Sequence, residues 1–336
     1  MRYSGMNSKA MILVIALCIF GLLGFTACSS QEEVPNLTLT LAGTAGTWYT
    51  QGASVAEYIN NNNDVIRVTP MSSAGGVENM RTLNNGEQDF GLGYTGNIFD
   101  AWEGVGGHES DGKLQNIRMV GPFQKLNGLQ FGVYADSEVQ KISDFKGKTI
   151  STGPVGSSAQ YYADLFLKHA NLYDEIDVQY YGWEEISTLM RDGELDGASR
   201  FGAVIQPMFQ EMSQIKPIRI IDLSEEMEES KLFEEFPFLS EHVTPAGTYP
   251  GHTEDAYSYG MTVVVVANKD ISDEYVYEFC KTIYTEDAAE YVEAAYRDHD
   301  LLNVEDPFPN LLIPLHPGAE KFWKEKGVSI PEPVLE

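Results

Sequence analysis

A strand, a turn of small residues and a helix follow one another over residues 37–52, LTLTLAGTAGTWYTQG. Leu37, Leu39 and Leu41 alternate with threonines, which is the period of a half-buried strand. The turn at 43–47 has no bulky side chain, so its backbone can approach a ligand closely. A helix that opens on such a turn presents free N–H groups and the positive end of its dipole. The stretch therefore predicts a site for a carboxylate or phosphate, and a tight turn without a ligand is the alternative.

The same order of elements recurs along the chain. A predicted strand at 65–68 precedes the small-residue turn 72–76 and a helix, and the strand 89–94 enters a polar loop at 95–97. In the second half, the glycine-rich segment 153–158 again follows a strand and opens a helix. This rhythm is typical of βαβ units with parallel strands, in which ligands bind at the carboxyl ends of the strands.

Two crossings between an N-terminal and a central region are predicted. Segment 121–128 lies between two predicted strands as a candidate crossover, and 249–251 is a candidate return before the buried strand 261–267. The expected architecture is α/β and bilobal, with two parallel-rich lobes joined by two hinge crossings. Clefts between such lobes close around a solute by hinge motion. The lobes are expected at 37–122 with 251–300 and at 123–250, with 301–336 packing across them.

The first residues predict a secretion signal. Arg2 and Lys9 form a basic start, the apolar run 11–23 follows, and small residues lead to Cys28. This resembles a bacterial lipoprotein signal, with removal of 1–27 and acylation of Cys28, for example by palmitate. An ordinary signal peptide or a membrane anchor is the alternative.

A polar tether at 28–36 would then join the lipid to the folded chain. With Cys18 removed and Cys28 acylated, Cys280 is the one thiol left, so no disulfide is expected within the mature chain. The protein is expected to be extracytoplasmic and lipid-anchored to a bacterial membrane, in the periplasm or on the outer face of the cell.

The charge balance limits the possible partners. Fifty acidic and 22 basic residues give a net charge of −28, which disfavours nucleic acid and anionic lipid headgroups. A small anion would also be repelled at long range, although salt screens that repulsion beyond about 10 Å. The acidic runs 225–229 and 234–235 are expected to be solvated surface that aids solubility.

The sequence shows no catalytic constellation. The six histidines are scattered without a cysteine cluster, so no metal site is predicted. No Gly-x-Ser-x-Gly elbow is present, and no Gly-Lys-Ser/Thr follows the glycine-rich segments. We expect no cofactor and no enzymatic activity.

Several segments in chain order resemble motifs of the solute-binding subunits of tripartite ATP-independent periplasmic (TRAP) transporters of the TAXI type. They are GTWY at 46–49, SAGGVEN at 73–79, FKGK at 145–148, GPVGS at 153–157, PAGTY at 245–249 and HPGA at 316–319. The resemblance implies a bilobal periplasmic-binding-protein fold of the type II kind, and a binding protein that captures a small organic anion, such as glutamate or another amino acid, or a di- or 2-oxo-carboxylate. It also implies delivery to a TRAP membrane permease, and we expect a monomer.

The chain departs from the family pattern where a ligand would lie. Thr95-Gly96-Asn97 stands where an Asp is common, Gly76 replaces a Ser, and 199–202 is bulkier and more polar than usual. Trp48 stands where the family commonly has Tyr, which indicates a ligand with a flat or apolar surface. The fold is therefore better specified by the resemblance than the ligand is.

The residues predicted to bind the ligand lie at the ends of strands and in the glycine-rich turns. They are Thr47, Trp48, Tyr49, Ser73, Tyr94, Thr95, Asn97, Ser157, Ser158 and Arg200. The Arg200 guanidinium is suited to grip a carboxylate through two parallel hydrogen bonds. The alternative for Arg200 is an exposed or salt-bridged side chain among many acids.

The other candidates have structural alternatives as well. The hydroxyls of Thr47, Tyr49 and Ser73 and the ring of Trp48 serve either the ligand or helix caps and hinge packing. Ser157 and Ser158 can offer backbone N–H groups, and an N-cap is the alternative there. Trp183 is expected at the edge of the core, with a lid as the alternative.

Two other functions compete with transport. A sensory receptor that presents its ligand to a membrane histidine kinase would carry the same sequence features. A lipoprotein hydrolase or transferase on a similar bilobal fold is the enzyme alternative, and turnover of candidate metabolites would distinguish it.

Overall fold

A computed structural model describes residues 34–44, 47–155, 157–295, 302, 307–308 and 311–335. The predicted signal peptide, Cys28 and residues 28–33 of the tether lie outside the described residues. In the part of the chain that is described, no helix is long and apolar enough to cross a membrane.

Ten strands join into a single mixed sheet. They are β1 Asn36–Thr40, β2 Arg67–Met71, β3 Phe90–Tyr94, β4 Ile117–Tyr134, β5 Thr149–Ser151, β6 Asp177–Gln179, β7 Gly197–Gly202, β8 Ile218–Ile220, β9 Ser240–Thr244 and β10 Ala256–Asn268.

Helices cover the sheet. They are α1 Thr47–Asn62, α2 Gly76–Asn84, α3 Thr95–Glu103, α4 Ser158–His169, α5 Trp183–Asp192, α6 Pro207–Ile215, α7 Ser224–Glu229, α8 Leu232–Glu235, α9 Asp273–Ile283, α10 Glu286–Ala295 and α11 Pro317–Glu325. Three short 3-10 turns lie at Gly106–His108, Ile142–Phe145 and Tyr173–Glu175.

The strand order is β2-β1-β3-β10-β4-β7-β5-β6, with β8 on β4 and β9 on β10. The pairs among β1, β2 and β3 and among β5, β6 and β7 are parallel. The long strands β4 and β10 pair antiparallel with each other and with their other neighbours. Two parallel groups joined by two long strands are the bilobal periplasmic-binding-protein fold that the sequence predicts.

The two crossings differ from the expected loops. Residues 121–128 lie inside the continuous strand β4, and β10 begins at Ala256, before the predicted strand at 261. The glycines that suggest a turn serve close packing instead. A side chain at Gly121 would collide with Tyr284, and one at Gly128 with His242.

Contacts join residues 36–336 into one compact unit. The expected lobe boundaries, 37–122 with 251–300 and 123–250, therefore stay a prediction, as does the packing of 301–336 across the lobes.

The core follows the sequence periodicity. Leu37, Leu39 and Leu41 are buried, and the Phe90 ring stacks on Phe279 with centroids 4.3 Å apart. Burial of such side chains contributes about 1.5–3 kcal/mol each to folding. Cys280 is a buried free thiol, as expected.

The C-terminal helix is fixed to the sheet. His316 is buried and caps α11 by accepting from the N–H of Gly318 at 3.3 Å. Trp323 donates from its indole N–H to the carbonyl of Val120 at 2.8 Å. His316 thus fixes the start of α11.

The acidic segment 225–241 is not solvated along its whole length. It forms α7, α8 and the first residues of β9. Met227, Leu232 and Phe238 are buried, because apolar residues interrupt the acidic run and fold its backbone onto the core.

Candidate functional site

Several of the described helices begin where parallel strands end, and three of them carry predicted ligand residues at their starts. β3 passes directly into α3 between Tyr94 and Thr95, α1 begins at Thr47 after β1, and α4 begins at Ser158 after β5. The carboxyl ends of β1 and β3 therefore lie together, because both strands are neighbours in one parallel group. This is the edge of the sheet where ligands bind in open α/β proteins.

An aromatic cluster links this edge to β7. The rings of Trp48 and Tyr94 have centroids 4.9 Å apart, and Tyr94 meets Phe201 edge-on at 5.5 Å. Trp48 and Tyr94 are half-buried, whereas Phe201 is buried. The structure thus brings two predicted ligand residues from the N-terminal part of the chain onto the strand that carries Arg200.

Arg200 is half-buried on β7 and has an unusual set of neighbours. Its Cζ lies 3.8 Å from the centroid of the Trp183 ring, and its Nε donates to Oε1 of Gln206 at 3.3 Å. Among the side chains described, no carboxylate forms an ion pair with Arg200. Burial lowers the pKa of Arg200, and the electrostatic influence of Tyr94 and Tyr249 opposes that shift.

A buried hydrogen-bond network holds Gln206, the hydrogen-bond partner of Arg200, in place. The Tyr249 hydroxyl accepts from the backbone N–H of Gln206 at 2.7 Å. The same hydroxyl is within 3.0 Å of two acceptors, Oε1 of Gln130 and the carbonyl of Val204. Gln130 lies on β4 opposite Arg200 in the strand register. The guanidinium is therefore held by groups that are themselves fixed, as a binding site requires.

The phenols near Arg200 are neutral at physiological pH. Burial raises the pKa of Tyr94 to about 12, and Arg200 partly opposes this. Burial also raises the pKa of Tyr249 to about 12. Both hydroxyls remain protonated and able to donate hydrogen bonds.

Four other predicted ligand residues make hydrogen bonds within the fold. Oδ1 of Asn97 accepts from the backbone N–H of Tyr94 at 3.0 Å, and the Thr95 hydroxyl donates to the carbonyl of Phe238 at 2.9 Å. Ser73 accepts from the N–H of Gly75, and Ser157 accepts from the N–H of Gln160, both at 3.1 Å. The Ser157 bond is the N-cap that its sequence position suggests.

The remaining predicted residues lie at helix starts. Thr47 and Ser158 are the first residues of α1 and α4, and the side chain of Ser158 lies outside the described atoms. Tyr49 is half-buried and packs against the main core. A ligand role for all three stays a prediction.

Trp183, Gln206 and Tyr249 were not predicted as site residues. A side chain at Gly153 would collide with the Trp183 indole, and Gly153 has a φ of 107°. The glycine of the 153–158 turn therefore provides the space for this indole beside Arg200. The sequence signals for this site are a tryptophan at a helix start and a glycine-rich turn. Their contact arises only in the folded chain, so the sequence pattern does not show it.

A surface cavity of about 450 Å³ lies elsewhere, near the amino ends of β1 and β3. Its lining is mostly amide and acidic and includes Asn84, Gln88, Asp89, Asn116 and Asp270. No arginine or lysine lines it, so it suits an anion less well than the Arg200 cluster does.

The sequence profile of the NMT1-like family matches residues 39–327, which is most of the chain. The chain belongs to the NMT1-like family.

Solved structures resemble this NMT1-like protein at low sequence identity. XAC2383 from Xanthomonas citri bound to ATP is 11% identical, with a TM-score of 0.52 over 86% of this chain and 94% of that chain. The periplasmic aliphatic sulphonate binding protein SsuA from Escherichia coli is 14% identical, with a TM-score of 0.45 over 78% and 79%. A putative L-cystine ABC transporter protein from Listeria monocytogenes is 11% identical, with a TM-score of 0.45 over 80% and 98%. At these identities the XAC2383 likeness speaks for the fold alone.

Proposed function

We propose that this NMT1-like protein is an extracytoplasmic solute receptor that captures a small organic anion and delivers it to a TRAP-type membrane permease. One observation carries the proposal. Arg200 is a half-buried cation at the carboxyl end of the sheet, and no described carboxylate neutralises it.

The composition makes this observation informative. The chain has 50 acidic and 22 basic residues, so an arginine without an acidic partner is unexpected. Removing a charge from water costs free energy unless a partner compensates for it. A ligand carboxylate would supply that compensation through two parallel, charge-assisted hydrogen bonds, which are about twice as strong as neutral ones.

The motif resemblance supports the finer assignment. Trp48 of the TAXI-like segment 46–49 belongs to the aromatic cluster, and Gly153 of the segment 153–157 packs against Trp183. The resemblance supports a carboxylate ligand, such as an amino acid like glutamate or a di- or 2-oxo-carboxylate. Acylation at Cys28 and the tether 28–36 would hold the receptor, as a monomer, beside its permease.

The groups around Arg200 favour binding without turnover. Its neighbours are an indole, an amide and phenols, and burial raises the pKa of the phenols of Tyr94 and Tyr249 to about 12. General acid–base catalysis needs groups that titrate near the working pH, and these phenols do not. The ligand is therefore expected to leave unchanged.

The test is a thermal-shift screen of organic anions followed by calorimetry, because a ligand that binds only the folded state raises its melting temperature. Arg200→Ala should weaken binding of the best ligand by roughly one to two orders of magnitude or more while leaving the fold intact. Unchanged affinity in this variant, or no response to any organic anion, would contradict the proposal.

A further inference from the structure

We infer that the preferred ligand is a monocarboxylate with a flat, apolar body, and not a dicarboxylate. This inference rests on the proposed function and narrows its ligand class. It follows from the part of the Arg200 guanidinium that is left for a ligand and from the aromatic side chains near it.

Arg200 offers one edge to a ligand. Its Nε is engaged by Gln206, and one face of its guanidinium is covered by the Trp183 ring at 3.8 Å. The terminal Nη1 and Nη2 edge remains. That edge matches a single carboxylate in the bidentate geometry.

No second cation is found for another carboxylate among the side chains described. Among the described groups, Arg200 is the charged group that shifts the pKa of Tyr94. The groups that act electrostatically on Arg200 are two tyrosines, Tyr94 and Tyr249. A second carboxylate would lose its water here without gaining a cation, which costs free energy. The net charge of −28 adds to that cost.

The cluster offers aromatic surface in place of charge. The rings of Trp48, Tyr94 and Trp183 are half-buried. Tyr94 contacts Trp48 at 4.9 Å and Phe201, the residue next to Arg200 on β7, at 5.5 Å, and the Trp183 ring lies against Arg200 itself. Aromatic pairs contribute about 0.5–1.5 kcal/mol beyond the area they bury, so a planar apolar ligand body gains affinity against these rings.

The experiment is isothermal titration calorimetry on the wild-type protein with two matched ligand pairs. Phenylpyruvate and 2-oxoglutarate share a 2-oxo-carboxylate head, and 3-phenylpropanoate and glutarate share a simple carboxylate head. We expect the aromatic member of each pair to bind about tenfold more tightly than the dicarboxylate.

The outcomes separate the two proposals. A dicarboxylate that binds as tightly as its aromatic partner, or more tightly, overturns this inference and leaves the proposed function standing. If none of the four ligands and no other organic anion binds, the proposed function falls, and this inference falls with it.

A variant sharpens the test. Trp48→Ala should weaken binding of phenylpyruvate by about three- to tenfold and binding of 2-oxoglutarate by less. Tyr257 is an exposed aromatic residue outside the cluster, and Tyr257→Ala should leave both affinities unchanged. Equal losses for the two ligands in Trp48→Ala would contradict the role of the aromatic surface.

Discussion

Arg200 and Arg219 are two half-buried arginines on strands that pair with β4, yet their surroundings differ. The terminal nitrogens of Arg219 donate to the backbone carbonyls of Ala135 at 3.1 Å, Ser137 at 3.2 Å and Val139. Arg200 donates from Nε to Gln206 and stacks on Trp183. The Arg219 guanidinium joins β8 to the backbone of residues 135–139. The Arg200 guanidinium is held through its Nε and one face, which leaves its Nη1 and Nη2 edge for a ligand.

The hydrogen-bond partners of the terminal nitrogens distinguish a structural arginine from one that can bind a ligand. The terminal nitrogens of Arg219 donate three hydrogen bonds to backbone carbonyls inside the protein. Arg200 has neither carbonyl nor carboxylate partners at its terminal nitrogens among the residues described. A binding role is therefore expected for Arg200 and a folding role for Arg219.

The largest expected effect is on the free energy of unfolding and comes from Asp100, a buried acid that, like Arg200, has no described partner of opposite charge. Burial raises the pKa of Asp100 on α3 to about 7, and a hydrogen bond from Tyr161 on α4 opposes the shift. The folded state therefore holds a proton that the unfolded chain has released. The free energy of unfolding should fall by about 3–4 kcal/mol as pH rises from about 4 to about 7.

Urea unfolding at several pH values measures this slope. Asp100→Asn should remove most of it, whereas Asp64→Asn, at an exposed position, should leave the wild-type slope. If Asp100→Asn keeps the full slope, another group is responsible, and a buried neutral Asp100 is the wrong description.

A smaller effect is expected on stability from Arg219→Ala. The substitution leaves three backbone carbonyls without their donor, so the free energy of unfolding should fall by about 2–4 kcal/mol. Below the unfolding transition, ligand affinity should stay within about twofold of wild type, because Arg219 does not touch the aromatic cluster. Chemical denaturation and calorimetry measure the two quantities. A stable Arg219→Ala protein with lost affinity would reverse the roles of the two arginines.

The smallest effect is expected from Trp183→Leu. The substitution removes the aromatic face that covers Arg200, a contact worth about 0.5–2 kcal/mol, and leaves the guanidinium less fixed. Affinity for a carboxylate ligand should fall by about three- to tenfold, measured by calorimetry. An unchanged affinity would show that the Nη edge is positioned by Gln206 alone.

Local chemistry explains how much of this fold the sequence predicts. The alternation of Leu37, Leu39 and Leu41 and the small residues after them predict β1 and the start of α1 correctly. The N-cap at Ser157 is likewise local, and its hydrogen bond is confirmed. These features depend on neighbours only a few residues apart.

The rest depends on distant parts of the chain. Gly121 and Gly128 suggest a loop, but they admit Tyr284 and His242 against a continuous strand. The site shows the same limit. Arg200 was predicted from its place at a strand end, whereas the Trp183 ring against it and the Gln206 bond arise from tertiary packing.

The most direct test of the central claim is a cycle between ligand charge and Arg200. Calorimetry would compare 3-phenylpropanoate with its neutral amide, 3-phenylpropanamide, on wild type and on Arg200→Ala. If Arg200 binds the ligand carboxylate, wild type should prefer the acid by about tenfold or more, and Arg200→Ala should bind acid and amide about equally. The same preference for the acid in both proteins would show that the carboxylate binds another group, and would contradict the role of Arg200.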